Sequence, residues 1–284
     1  MEQEIHLKQL EREFLHHEYF AEYEQEELKN IFVWLIEHYF NLNKTDLLLG
    51  KKVSLNTEHI QNYYSACRRL NQGEPIQYIL GYTDFLDCKI KVNEKVLIPR
   101  PETEILVDWL ISDADQFSSD QLIVDLGTGS GCIAVAVAKS LKNPVLAVDI
   151  SESALFVAKR NARLNKVKVD VMCLDINRLK VLKGQPEVII SNPPYVLQTE
   201  KNQLNSNVIG YEPHLALFSD APIQYYQSIF EYVKTNNFVK YVYLELNHLT
   251  AEKVADLFKS IRHESLTIRK DMRGNKRFLK WVRS

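Results

Sequence analysis

The feature that most constrains the fold is a buried strand that runs directly into a glycine-rich turn. Residues 122–126 read Leu-Ile-Val-Asp-Leu, and residues 127–131 read Gly-Thr-Gly-Ser-Gly. Closely spaced glycines allow the backbone to turn tightly and to approach a ligand. Residues 132–141 are rich in alanine and valine, so they predict a helix packed on the strand. This order of elements begins a sheet of parallel strands joined by crossover helices.

The same alternation continues to the C-terminal region and predicts the fold class. Further strands are predicted at 144–149, 168–173, 188–191 and 239–246, and helices at 154–165, 225–234 and 250–261. Two closing strands, 266–268 and 278–282, flank a turn at 271–274, so we expect an antiparallel edge strand. The sequence therefore predicts an α/β fold with a doubly wound, Rossmann-like sheet.

The residues ahead of this sheet predict two smaller parts. Residues 1–72 hold one glycine, Gly50, and no proline, and their apolar residues recur at helical spacing. We expect a small N-terminal domain of four or five helices there. Residues 73–98 contain strand-forming stretches, the first at 77–80, and predict a β-hairpin connector. The remainder, 99–284, is then the main domain.

Composition and charge narrow the classes of function. The 284 residues carry a formal net charge of −2, so a broad positive field that would hold a long nucleic acid is not expected. The four cysteines lack the spacing of a metal site and favour a reducing compartment. The sequence shows neither a signal peptide nor a membrane-spanning apolar run. We expect a cytoplasmic protein without metal or membrane attachment, acting as a monomer.

The spacing within the glycine-rich turn distinguishes between nucleotide cofactors. The dinucleotide fingerprint is GxGxxG, whereas this turn has GxGxG and continues with Cys132. The shorter spacing favours S-adenosylmethionine over NAD, because the turn need not hold a pyrophosphate. Asp149 ends the second strand, where a carboxylate can accept hydrogen bonds from both ribose hydroxyls. Asp175 and Ile176 follow the third strand, where an adenine edge would lie, and Asp125 either orders the turn or meets the ligand's amino group.

A second group of chemically informative residues follows the strand at 188–191. It reads Asn192-Pro193-Pro194-Tyr195, and its prolines hold the chain extended. Ligands of doubly wound sheets bind at the carboxyl ends of the strands, so this tetrapeptide should lie beside the cofactor turn. The Asn192 side-chain oxygen and the Pro193 carbonyl can each accept one N–H of a planar –NH2 group, on which the Tyr195 ring can stack. These contacts would orient the nitrogen lone pair toward an electrophilic methyl group.

Together these two groups make up the predicted site. The predicted cofactor-binding residues are Gly127, Thr128, Gly129, Ser130, Gly131, Asp149, Asp175, Ile176 and Asn192. The predicted substrate-binding residues are Asn192, Pro193, Pro194 and Tyr195, and the predicted catalytic residues among them are Asn192, Pro193 and Tyr195.

Residues 99–104, Pro-Arg-Pro-Glu-Thr-Glu, suit the first turn of a helix that begins at Pro101. Whether Arg100, Thr103 and Glu104 also border the active site stays open at this point.

Several stretches resemble the release factor glutamine methyltransferases, the PrmC/HemK family. The stretches that carry the resemblance are Gly73–Tyr78, Leu97–Glu104, Asp125–Gly131, Val148–Ser151, Ser191–Tyr195 and Tyr211–Leu217. The chain departs from the family pattern at Asn247, where a glycine is usual, and at Lys276, which replaces an acidic residue. The resemblance covers nearly the whole chain, and Leu97–Glu104 and Tyr211–Leu217 are more specific than the tetrapeptide.

The resemblance implies a class I methyltransferase fold and S-adenosylmethionine as cofactor. It further implies that the substrate is the glutamine of the Gly-Gly-Gln motif of peptide chain release factors, methylated at its side-chain nitrogen, N5. Methylation there would modulate translation termination. The N-terminal helical domain would then bind the protein substrate, with no direct requirement for nucleic acid.

Three other functions are less well supported by the sequence. A nucleic-acid amino-methyltransferase acting on adenine N6 or cytosine N4 shares the Asn-Pro-Pro-Tyr motif, but the chain lacks a separate basic target-recognition domain. The basic residues near Arg160 are better explained as a solvated helix face. A nicotinamide-dependent oxidoreductase is disfavoured by the glycine spacing. A binding module without catalysis is disfavoured because both motifs are intact.

Overall fold

The computed structural model describes residues 2–16, 23–182, 184–197, 206–219 and 221–284. The α-helices are α1 (Leu7–Leu15), α2 (Gln25–Phe40), α3 (Lys44–Leu48), α4 (Thr57–Asn71), α5 (Ile76–Leu80), α6 (Pro101–Ser112), α7 (Cys132–Ser140), α8 (Glu152–Leu164), α9 (Ser206–Tyr211), α10 (His214–Leu217), α11 (Ile223–Thr235) and α12 (Ala251–Lys259). The strands are β1 (Glu2–His6), β2 (Lys52–Asn56), β3 (Tyr82–Phe85), β4 (Cys88–Lys91), β5 (Ile123–Leu126), β6 (Val145–Asp149), β7 (Asp170–Cys173), β8 (Val188–Ser191), β9 (Val196–Leu197), β10 (Phe218–Ser219), β11 (Tyr241–Glu245), β12 (Ser265–Lys270) and β13 (Lys276–Val282).

These elements form two compact units. One comprises the described parts of 1–81 and 206–211, and the other the described parts of 82–205 and 212–284. None of the described helices combines the length and apolarity needed to cross a membrane.

The smaller unit is the predicted helical domain, with an addition. Its core is built on α1 and α2, whose Phe14 and Phe32 rings lie 5.5 Å apart between centroids. The addition is an antiparallel ribbon of β1 and β2, in which Ile5 lies opposite Val53. Neither strand is expected from the sequence, because each has only five residues and directly precedes a helix, so its alternation of apolar and polar residues is too weak to stand out.

Residues 77–80 are helical, so the prediction of a strand there was wrong. They belong to α5, which follows Pro75 and is capped by Gly81 in the left-handed conformation, with φ of +78°. Ile76 and Ile79 bury one helical face, so tertiary packing overrides the strand preference of these residues. A hairpin does follow, formed by β3 and β4, with Phe85 opposite Cys88.

The larger unit is built on a seven-stranded sheet in the order β12-β13-β11-β8-β5-β6-β7. The five strands from β11 to β7 are parallel, whereas β13 runs antiparallel to both β11 and β12. The α/β fold class is confirmed, and the reversed strand lies one place in from the edge. Strands β5 and β8 are buried along their whole length because helices cover both faces.

The chain leaves β5 toward β6 and later returns to β8 on the other side. The crevice at the carboxyl ends of these strands is therefore a topological switch point, where ligands of such sheets bind. A buried asparagine on α8, Asn161, braces this region. Its side chain bonds the Ser130 carbonyl at 2.8 Å and both backbone groups of Lys91, so it ties the glycine turn and the β3–β4 hairpin to one helix.

We predict that Gly131→Ala destabilises the larger unit through a collision with α8. A Cβ at Gly131 would lie 2.8 Å from the Ala158 Cβ and 2.9 Å from its Cα, and Gly131 has φ of +80°. Gly274→Ala is the matched control, since Gly274 has φ of +83° and open space around it. Urea unfolding should show a loss for Gly131→Ala that exceeds the control by about 1–3 kcal/mol. Equal losses would mean that backbone strain alone is responsible.

Candidate active site

The glycine-rich turn after β5 is fastened to the end of β6. The backbone N–H groups of Gly127 and Thr128 both donate to the Val148 carbonyl, at 2.8 and 2.9 Å. At Gly129, which has φ of +53°, an added Cβ would meet nothing within 4 Å. The turn thus presents one backbone face to open space, as a close-approaching ligand requires.

Asp149, at the end of β6, is hydrogen-bonded to the backbone of the turn. One carboxylate oxygen accepts the Gly129 N–H and the other accepts the Ser151 N–H, both at 2.9 Å. Burial raises the pKa of Asp149, while these N–H groups act in the opposite direction. The carboxylate is therefore oriented by the backbone before any ligand arrives.

Asp125 orders the turn, which answers the question that the sequence left open. Its Oδ2 accepts the Thr128 hydroxyl at 2.5 Å and the Ala134 N–H at 3.2 Å. The side chain is fully buried and is not among the cavity-lining residues. Burial raises the pKa of Asp125 to about 7, and its Oδ1 has no hydrogen-bond partner among the described residues.

A cavity of about 380 Å³ opens at the carboxyl ends of β5, β6 and β8. Six of the predicted cofactor-binding residues line it: Gly127, Gly129, Asp149, Asp175, Ile176 and Asn192. The other three shape the turn instead: Thr128 bonds Asp125, Ser130 bonds Asn161, and Gly131 packs on α8. The remaining walls come from segments 94–97, 150–154 and 213–216, with Asn177, Pro194 and Tyr225.

The Asn192–Tyr195 segment lies at the edge of this cavity. Asn192 and Pro194 line the cavity, whereas Pro193 is buried. Tyr195 is partly buried against the core of the sheet, and its hydroxyl donates to Glu245 Oε1 at 2.9 Å. Asn192 and the glycine-rich turn thus line the same cavity. The Tyr195 ring packs against the core of the sheet and is held by Glu245.

A buried carboxylate that sequence reasoning missed organises this segment. Glu245, at the end of β11, is fully buried and accepts hydroxyl donors on both oxygens, from Tyr195 and from Thr103 at 2.8 Å. Burial raises the pKa of Glu245, and the two hydroxyls and Arg277 act against that rise. Thr103 in turn accepts the Asn192 side-chain N–H at 3.0 Å. One signal was available: a single carboxylate within the apolar run 239–246.

Asn247 adds a second anchor to the same segment. Its Nδ2 donates to the Tyr195 carbonyl at 3.0 Å, and its Oδ1 accepts the Leu249 N–H at 2.8 Å. The Arg277 guanidinium lies 5.7 Å from the centre of the Tyr195 ring. These hydrogen bonds are side-chain contacts that a glycine at this position could not make.

The open question about Arg100, Thr103 and Glu104 is resolved by their partners. Thr103 bonds Asn192 and so belongs to the site. Arg100 forms an ion pair of 2.6 Å with the buried carboxylate of Glu212, and this carboxylate also accepts the Ile98 N–H. These contacts join the two chain segments that continue into the cavity walls at 94–97 and 213–216. Glu104 accepts the Leu86 N–H in the β3–β4 turn and so supports the hairpin.

Two family models match the chain. The Methyltransferase small domain matches residues 101–211, and the PrmC N-terminal domain matches residues 9–81. A release factor glutamine methyltransferase of Flavobacterium psychrophilum is 37% identical over 265 residues, which cover 91% of this chain and 93% of that protein. One of Lactococcus lactis is 35% identical over 254 residues, covering 87% and 91%. These matches confirm the resemblance inferred from the motifs.

Solved structures support the fold alone. The catalytic domain of hMettl16 in complex with MAT2A 3'UTR hairpin 6 superposes with a TM-score of 0.53 at 14% identity, over 83% of this chain and 85% of that chain. A methyltransferase from Pyrococcus furiosus gives a TM-score of 0.50 at 18% identity, over 69% and 89%. Both agree with a methyltransferase sheet and, at such identity, say nothing about substrate.

We predict that Asp125→Asn removes a pH dependence of stability. The folded-state pKa of about 7 exceeds the ordinary 3.8, so the folded protein keeps a proton that the unfolded chain releases. Wild-type stability should therefore fall as pH rises from about 4 to 7, by at most about 1.4 kcal/mol per pH unit. Asp125→Asn cannot ionise and should lack that fall in urea unfolding.

Asp108→Asn, at an exposed position of α6, is the control and should follow the wild type. A parallel pH dependence in Asp125→Asn and wild type would show that Asp125 is not the group responsible.

Proposed function

We propose that this chain, which belongs to the release factor glutamine methyltransferase family, transfers a methyl group from S-adenosylmethionine to a release factor glutamine. The acceptor would be the side-chain amide nitrogen, N5, of the glutamine in the Gly-Gly-Gln motif. The observation that carries the proposal is the orientation of Asn192. Its amide nitrogen is engaged by Thr103, so its oxygen is left to accept a substrate N–H beside the cofactor cavity.

The cavity fits S-adenosylmethionine by the chemistry of its walls. The open face of Gly129 allows a ligand to touch backbone, where a side chain would intrude. The Asp149 carboxylate suits the ribose hydroxyls, and Asp175 with Ile176 suits a polar and an apolar edge of adenine. When bound there, the cofactor supplies an electrophilic methyl group on a sulfonium.

The residues at 192–195 would hold the acceptor amide. The Asn192 Oδ1 and the Pro193 carbonyl each accept one N–H, which turns the nitrogen lone pair toward the cavity. The Tyr195 ring, held by Glu245 and Asn247, would stack on the planar amide. A dedicated base is not required, because the amide proton becomes more acidic as the nitrogen is alkylated.

The three parts of the chain would have separate roles. We assign protein-substrate binding to residues 1–72, a connecting role to 73–98 and catalysis to 99–284. We further propose that the protein acts as a monomer in the cytoplasm on release factors, without a direct need for nucleic acid. The net charge of −2 and the scattered cysteines support this assignment.

Methylation of a nucleic-acid amino group is the second candidate, since the same tetrapeptide suits it. The relatives named above favour glutamine. A basic residue that could contact nucleic acid, Arg160 on α8, has a partner within the protein. Its guanidinium lies 5.9 Å from the centre of the exposed Phe156 ring.

Incubation with methyl-labelled S-adenosylmethionine and a recombinant release factor tests the proposal. Label should enter the factor at the glutamine of Gly-Gly-Gln, and a factor with alanine there should accept none. Label that enters RNA or DNA but never the factor would reject the proposal in favour of the second candidate.

Asn192→Ala should lower kcat toward the release factor by about 10²–10³-fold, as expected for one lost preorganised hydrogen-bonding group. Cofactor affinity, measured by calorimetry, should change little, because Asp149 and the turn are untouched. A full-rate Asn192→Ala enzyme would reject the mechanism while leaving the substrate assignment standing.

Asp149→Asn should show the opposite pattern. The dissociation constant for the cofactor should rise about 10- to 100-fold, because hydrogen bonds to a charged acceptor contribute about 1.5–3 kcal/mol. At saturating cofactor, kcat should stay near the wild-type value. Unchanged cofactor affinity in Asp149→Asn would exclude the ribose contact.

A further inference from the structure

The Thr103 hydroxyl is hydrogen-bonded to two side chains: it donates to Glu245 and accepts from Asn192. Glu245 Oε2 lies 2.8 Å from it on one side, and Asn192 Nδ2 lies 3.0 Å from it on the other. Thr103 is buried and comes from the first turn of α6, while Glu245 is fully buried at the end of β11. Three elements therefore meet at one hydroxyl.

The direction of these hydrogen bonds follows from the acceptor character of Glu245. Each Glu245 oxygen accepts a hydrogen bond from a hydroxyl, Oε2 from Thr103 and Oε1 from Tyr195. The Thr103 proton therefore points at Glu245, and only a lone pair remains for Asn192. A lone pair attracts the amide N–H group and repels the amide oxygen.

We infer that Glu245, acting through the Thr103 hydroxyl, fixes the Asn192 amide with its oxygen toward the acceptor nitrogen. Thr103 and Glu245 are positioning residues, since Asn192 alone of the three would touch the substrate. The inference rests on the proposed function for the identity of the acceptor, but the orientation of the amide does not depend on it.

The orientation matters because the two ends of an asparagine amide have opposite hydrogen-bonding character. With the oxygen outward, Asn192 accepts an N–H of the substrate. If the amide rotated by 180°, its own NH2 would face the substrate NH2, and two donors would oppose each other. Without a fixed proton on Thr103, both orientations become accessible, because a free hydroxyl can donate to the amide oxygen.

Four substitutions separate this role from general support of the fold. Thr103→Val removes the hydroxyl at nearly constant volume, and Thr103→Ser keeps it. Glu245→Met removes the acceptor, whereas Glu245→Gln keeps one oxygen. In Glu245→Gln we expect that oxygen to face Thr103, because the Tyr195 hydroxyl can accept from the new NH2 group and the Thr103 oxygen is already occupied.

A matched control for the loss of a threonine hydroxyl is Thr235→Val. Thr235 is exposed on α11; its hydroxyl donates to the backbone carbonyls of Glu231 and Tyr232 and accepts the side-chain N–H of Asn236, away from the cavity. Thermal unfolding of every variant, followed by circular dichroism, identifies any substitution that simply fails to fold.

Steady-state kinetics with a release factor give the first readout. Thr103→Val and Glu245→Met should lower kcat by about 10- to 100-fold, as is usual when an outer partner of a functional side chain is lost. Thr103→Ser and Glu245→Gln should recover kcat to within about fivefold, and Thr235→Val should match the wild type. The cofactor dissociation constant should stay within about twofold throughout, which a general loss of structure would not allow.

A double substitution tests whether Thr103 acts through Asn192. Thr103→Val in the Asn192→Ala background should be no slower than Asn192→Ala alone, because the group being positioned is already absent. Effects that add would overturn the inference.

NMR of the substrate-free protein gives a readout that needs no release factor. The Asn192 side-chain NH2 signals, assigned by their loss in Asn192→Ala, should exchange slowly with water in the wild type and in Thr103→Ser. They should shift and exchange faster in Thr103→Val and Glu245→Met. Unchanged signals in those two variants, or unchanged kcat, would overturn the positioning role.

The two proposals fail separately under these measurements. If the wild type does not methylate the release factor but the NMR pattern is as expected, the proposed function is rejected and the positioning role stands. If the factor is methylated at full rate by Thr103→Val and Glu245→Met, the positioning role is rejected and the proposed function stands.

Discussion

The register between β5 and β8 is the constraint on which the site depends. Leu126 lies opposite Ser191, and the Ser191 hydroxyl donates to the Leu126 carbonyl at 2.7 Å. The next residues, Gly127 and Asn192, therefore leave the sheet side by side, and a Cβ at Gly127 would lie 3.9 Å from the Asn192 carbonyl oxygen. A one-residue slip would turn every side chain of a strand to the other face. Because both strands are buried on both faces, such a slip would disrupt the core and is strongly disfavoured.

Three carboxylates at or near the carboxyl ends of strands share one physical arrangement. Burial removes water from around each carboxyl group and raises the pKa of all three, Asp125, Asp149 and Glu245. In each case loops at the same edge of the sheet, or a neighbouring helix, supply the N–H or O–H donors. The desolvation cost is offset only if those donors are in place, so the loops are held in one conformation. That rigidity suits a site that must orient a weakly nucleophilic amide nitrogen.

The sequence predicted the order of strands and helices in the larger unit almost throughout, because each buried strand is a short apolar run closed by a polar residue. It failed at 77–80, where Tyr78 and Ile79 favoured a strand but packing after Pro75 made a helix. It also missed β1 and β2, whose pairing joins residues about fifty positions apart. Neither failure touches the main sheet, where the alternation of strand and helix is strongest.

Within the site, the sequence by itself determined the chemistry that is local in the chain: the glycine spacing, the carboxylate that ends β6, and the tetrapeptide after β8. These follow from short-range rules about turns, caps and strand ends. Only the tertiary structure decided that Asp125 orders the turn, that Tyr195 is braced from behind, and that Thr103 joins Glu245 to Asn192. Thr103 and Glu245 are 142 residues apart. A hydrogen bond across that separation exists only because the sheet and the first turn of α6 bring the two side chains together.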